Sequence, residues 1–145
     1  MMKNDFNVMI GLIVHTDDSI ERVSEIMGTT PSNDLREGNG MAYEALVFGK
    51  KTWIYRMRFN RQTDTESCIR QFVSQFPEFS TRVSEVKKIG DCTIRMSIVS
   101  LFAQVGFSLS AQELQTLSTL NIPFEITLLS FGNCFDDGER SDLTP

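Results

Sequence analysis

A chain of 145 residues has the usual size of one domain and buries roughly two thirds of its unfolded surface, so a single core suffices. With 41% hydrophobic and 23% charged residues it is composed like a globular protein, which excludes wholesale disorder. A net charge of −5 argues against nucleic acid and anionic membranes, both held mainly through Lys and Arg, although it leaves room for a local basic patch.

The cysteines Cys68, Cys92 and Cys134 form no C-x-x-C pair, so neither a disulfide framework nor a zinc site is signalled; reduced thiols in a cytoplasmic protein are expected. The start of the sequence lacks the basic, apolar and small-residue segments of a signal peptide. The longest strongly apolar run, Val8 to Val14, is too short to span a bilayer and suits a buried strand.

In chain order, Phe6 to His15 reads as a first strand, ending at the turn-favouring Thr16-Asp17-Asp18. Asp18 as N-cap with Glu21 at N3 predicts a helix whose core stripe is Ile20, Val23, Ile26 and Met27, closed by Gly28. From Thr29 to about Lys50 the chain is irregular, with Pro31, Gly38, Gly40 and Gly49, and Ala45 to Phe48 forms at most a short strand. Lys51 to Phe59 alternates, placing Trp53, Tyr55, Met57 and Phe59 inward and Ile54, Arg56 and Arg58 outward. Thr63 with Glu66 predicts a second capped helix carrying Cys68, Ile69, Phe72, Val73 and Phe76, stopped by Pro77, with a looser helical stretch over Ser80 to Lys88. Cys92 to Phe102 is the next strand. Ser110 with Glu113 starts a helix with Leu114, Leu117 and Leu120 inward and Asn121 at its C-terminal end. Ile122 to Phe131 is the last strand.

This order predicts an α+β fold: two βαβ-like halves joined by a central helix, sharing one mainly antiparallel or mixed sheet with helices on one face, in a ferredoxin-like layout. Residues 1–132 form the single domain, and 133–145 form a polar tail expected to be flexible.

At Gly28-Thr29-Thr30-Pro31-Ser32, then Arg36-Glu37-Gly38, then Trp53, the chain resembles an uncharacterised bacterial family, domain of unknown function 4279. Leu109-Ser110 before a leucine-rich helix and the strand Phe124 to Leu129 extend the likeness over roughly Phe6 to Phe131, with an insertion around Met41 to Lys50. The resemblance implies no activity. It implies that the segment after the first helix is structured.

His15 with Asp17 and Asp18 brings an imidazole close to carboxylates, but adjacent strand residues face opposite ways and no second histidine exists. No P-loop, dinucleotide fingerprint, nucleophile elbow or H-E-x-x-H occurs, so the reading leans away from an enzyme, and no cofactor or metal is implied. The outer face of the sheet carries more. Arg56, Arg58 and Ile54 emerge there, with Arg95, Ser97, Val99, Glu125, Thr127, Leu129 and Phe131 expected beside them, as an interaction surface or as cross-strand ion pairs on a wet face. The expected function is a non-catalytic module that binds a protein partner or itself through this face, with an immunity-like role as one version. The alternative is a small-ligand or enzymatic site between the long loop and the strand ends, using His15, Arg36 and Asp17.

Overall fold

The computed structural model describes residues 6–32, 46, 47, 49–59, 65–102 and 108–133. Its elements in chain order are β1 (Phe6–Thr16), α1 (Ile20–Met27), β2 (Leu46–Val47), β3 (Lys50–Phe59), α2 (Thr65–Val73), α3 (Phe79–Val86), β4 (Gly90–Phe102), α4 (Ala111–Leu120) and β5 (Phe124–Asn133). The strands make one mixed sheet in the order β2-β3-β1-β4-β5. β1 lies at its centre, antiparallel to both β3 and β4, while β4 and β5 run parallel.

Alternation along the strands sends Val8, Ile10, Leu12 and Val14 of β1, Trp53 and Phe59 of β3, and Cys92, Ile94, Met96 and Ile98 of β4 to one face. All four helices cover that face: Val23 and Met27, Ile69 and Phe72, Phe79 and Val83, and Leu117 and Leu120 belong to the same buried cluster. Tyr55, Phe72, Phe76 and Phe79 pack edge-on or tilted, with Tyr55 and Phe76 ring centres 4.9 Å apart. The α+β layout with helices on one side is therefore as the sequence pattern implies. The two halves share element order but not strand direction, because the long connection after α1 returns the chain antiparallel beside β1, whereas β4-α4-β5 is a parallel crossover.

Local details differ from expectation at the caps and on α4, where Leu114, expected inward, is exposed and only Leu117 and Leu120 of the leucine stripe are buried. Thr16 Oγ1 accepts from the Asp18 amide, and Asp18 Oδ1 accepts from the Ser19 amide, so these residues form the turn and Ser19 becomes the N-cap, accepting from Arg22 N. Ser110 does cap α4 through Glu113 N, and Asn121 closes it at φ 54°. The Glu113 carboxylate, however, is buried, with Oε1 3.4 Å from the Arg70 amide of α2. Thr63, the expected cap of α2, lies outside the described residues. α3 begins one residue earlier than the pattern implied, behind a left-handed Glu78, and β5 is shifted to Phe124–Asn133; the tail beyond Asn133 lies outside the described residues.

Gly28 ends α1 at φ 75°, and a side chain there would meet the Arg82 guanidinium at 2.8 Å. That guanidinium donates to Ile26 O and to Pro77 O, both at 2.8 Å, so it joins the carbonyl end of α1 to the turn before α3. Arg82→Ala is expected to cost about 1–2 kcal/mol, seen as a lower urea midpoint with an unchanged slope, because two charge-assisted bonds at a partly exposed site are lost. Arg82→Lys should recover only part of this, since an ammonium lacks the planar fork that reaches both carbonyls.

Candidate functional site

The face opposite the helices has no covering layer among the described residues, and its side chains fall into cross-strand rows. Ile54, Ile13 and Thr93 form one row; Arg56, Gly11, Arg95 and Glu125 the next; Arg58, Met9, Ser97 and Thr127 the third; Asn7, Val99 and Leu129 the fourth. Arg56, Arg58, Arg95 and Glu125 are thus brought onto one face, as expected from alternation. Phe131 carries its side chain outside the described residues.

Arg95 and Glu125 form an ion pair at 2.9 Å, and Thr127 Oγ1 donates to Ser97 Oγ at 2.9 Å. Those contacts match the cross-strand ion-pair reading, and at this exposure such a pair adds little stability. Arg58 differs. It is exposed and makes no ion pair among the described residues.

Gly11 gives the face its shape. It sits between Arg56 and Arg95, and a Cβ on it would stand 3.1 Å from Arg56 Cβ and 3.4 Å from Tyr55 O, so the absence of a side chain lets β3 and the stem of Arg56 close in on β1 at the centre of the sheet. One hollow of about 70 Å³ is lined by Met9, Gly11, Ile13, Ile54, Arg56 and Arg95, together with Ser97. A second, of about 160 Å³, involves Met9, Arg58, Ser97 and Val99. Met9 and Ser97 line both, so the two hollows lie side by side and are taken together as the β1 trough, from Asn7 to Ile13, a span of roughly 20 Å at strand rise. Its floor is apolar and its walls carry guanidinium groups. Gly11, Met9 and Ile13 were not singled out by the sequence reading, although a glycine inside an apolar strand run is itself a signal of close approach or open space.

Arg56 is held from behind by the segment after α1. Ser32 Oγ accepts from Arg56 N at 2.8 Å and donates to Arg56 O at 3.3 Å, while Ser32 N donates to Ile54 O at 2.9 Å. Ser32 therefore serves the outer edge of β3 beyond the stretch paired with β2, which reaches only Lys50 and Lys51. Trp53, the neighbour of Ile54, is fully buried and donates from Nε1 to Ser24 Oγ at 3.0 Å.

Gly28 to Ser32 and Trp53 are among the residues that carry the resemblance, and a family model for a domain of unknown function, DUF4279, matches residues 6–130. The chain belongs to the DUF4279 family. No curated protein and no solved structure matches it. In this DUF4279 chain the motif acts on architecture: Gly28 ends a helix, Ser32 laces the following segment onto β3, and Trp53 fixes β3 to α1. Arg36 and most of the segment 41–50 expected as an insertion lie outside the described residues.

The other candidate, His15, lies at the end of β1 between Thr52 and Asp91, its Nδ1 3.1 Å from Thr52 Oγ1. Asp91, rather than Asp17, is its cross-strand neighbour. That carboxylate bonds Lys50 Nζ at 3.1 Å and holds the ammonium above the ordinary lysine range. Asp17 and Asp18 are exposed. Among the described residues no cluster of His, Cys, Asp and Glu suits a metal ion, and no helix is long and apolar enough to cross a membrane.

Proposed function

We propose that this DUF4279 domain is a non-catalytic, cytoplasmic protein-interaction module of bacterial origin that takes an acidic, partly apolar segment of a protein partner along the β1 trough. The observation that carries this reading is the pairing of an apolar floor with the guanidinium walls of Arg56, Arg58 and Arg95 on a chain of net charge −5. Apolar floor residues supply the area, and arginines at such a site give charge complementarity and geometric selection of carboxylates. Arg58 makes no ion pair among the described residues, whereas Arg95 must share with Glu125.

The test places a photo-crosslinking residue at Met9, on the floor, and another at Thr119, exposed on α4, in protein expressed in its own host. The expected result is a discrete protein adduct from Met9 and none from Thr119. Combining the Met9 probe with Arg56→Glu and Arg58→Glu should reduce that adduct by about tenfold or more, while the thermal transition stays in place. An adduct indifferent to the double reversal, or no Met9 adduct above the Thr119 control, rejects the proposal.

A further inference from the structure

Among the described residues, β5 is the sheet's outer strand on the side away from β3, and it is ten residues long. Its residues Ile126 and Leu128 point to the helix side, being register partners of the buried Met96 and Ile98, yet they are 45% and 55% exposed. Leu129, on the opposite side, is 55% exposed. The helix layer thus covers β3, β1 and β4, reaches β5 only at Phe124, and leaves the apolar side chains of Ile126, Leu128 and Leu129 bare on the two faces. Natural edge strands are usually guarded by lysine, proline or shortness. Between Phe124 and Ser130 the only charge is Glu125, and Arg95 neutralises it from the neighbouring strand.

We infer that β5 pairs with β5 of a second copy, antiparallel about a two-fold axis, to make a continuous sheet across a homodimer. Exposure on both faces favours strand addition, because a helix or loop laid on the sheet shelters one face only. The occupant follows from charge and pattern. With the axis through Thr127, Ile126 meets Leu128 of the second copy twice on the helix side, Thr127 meets Thr127, and Glu125 meets Leu129 rather than another carboxylate. The backbone is disposed for this: Ile94 N donates to Pro123 O, so in the parallel ladder the odd-numbered residues of β5 bond to β4, and the amides of Ile126 and Leu128 point outward. This surface is separate from the trough and does not depend on the reading of it.

Native mass spectrometry and light scattering over a dilution series test the inference on the full chain. The wild type is expected to show a concentration-dependent dimer, and Ile126→Lys with Leu128→Lys should weaken it by about tenfold or more. Both residues are exposed, so the lysine variant should retain its thermal transition. Concentration-dependent protection of the Ile126 and Leu128 amides in hydrogen exchange gives a second readout that needs no substitution. A wild type that stays monomeric at every concentration overturns the inference. So does a dimer that survives the lysine pair, or one abolished by Arg56→Glu with Arg58→Glu instead, since the trough would then be the self-association surface.

Discussion

Replacing Trp53 by alanine is expected to lower the unfolding free energy by about 3–5 kcal/mol, enough to consume a large part of a typical domain's stability. The indole is fully buried on β3 against the helix layer, so its removal leaves a large cavity, and its Nε1 bond to Ser24 Oγ on α1 goes with it. Trp53→Phe separates the two contributions. The phenyl ring restores most of the volume but leaves the half-buried Ser24 hydroxyl without its donor, so a loss of about 1–2 kcal/mol should remain. Because Trp53 is the chain's single tryptophan, unfolding has to be followed by far-ultraviolet circular dichroism in urea rather than by indole fluorescence. A Trp53→Ala protein as stable as wild type would show that β3 is not anchored to α1 as described. Anchoring matters for the trough too, since Ile54, Arg56 and Arg58 keep their outward direction only while Trp53, Tyr55 and Met57 are held inward.

The sheet was legible in the sequence because alternation over Lys51 to Phe59 and the apolar run at Val8 to Val14 leave little choice of element or of inward face. Strand order was not, since it depends on which strand each segment returns beside, and contacts such as Ser32 on Arg56 and Ile54 join segments that no periodicity links. Capping shows the same division. Ser110 has one strong competitor-free arrangement, so its role was readable, whereas Thr16, Asp17, Asp18 and Ser19 all favour turns and caps, and only the bond from the Asp18 amide to Thr16 Oγ1 decides that Ser19 takes the helix.

For the site, alternation placed Arg56, Arg58, Arg95 and Glu125 on one face, but it treats every residue of that face alike. It could not show that Arg95 is spent on Glu125, because that depends on which strands are neighbours. Nor did it value Gly11, whose contribution is the close approach of Arg56 that a side chain would block. His15 was attached to Asp17 by proximity in sequence, whereas pairing across the sheet gives it Thr52 and Asp91. Proximity along a strand is a poor guide, since consecutive side chains diverge and the true neighbours come from chains dozens of residues away.

The same sheet makes a prediction about alkaline stability. Cys92 begins the core face of β4, and burial pushes its thiol from the ordinary value of 9.0 up to about 11, with Lys87 opposing and Asp91 assisting the shift. Below pH 9 both folded and unfolded chains carry the proton, and the stability associated with this group is fully present. Between pH 9 and 11 the unfolded chain releases the proton while the folded one retains it, so the folded state binds more protons and stability falls as pH rises, by about 3 kcal/mol over the whole interval. The useful quantity is the difference from Cys92→Ala, in which the rest of the chain cancels. That variant should be about 1 kcal/mol less stable than wild type at pH 7, from lost packing, and should close or reverse the gap by pH 11. Parallel stability curves for the two proteins across this interval would mean that the thiol titrates as freely as in the unfolded chain. The raised value also keeps the thiolate scarce at neutral pH, so Cys92 should resist aromatic disulfide reagents until the protein unfolds; fast labelling in the folded state would show that the start of β4 opens readily, and with it the end of the sheet where His15 and Asp91 face each other.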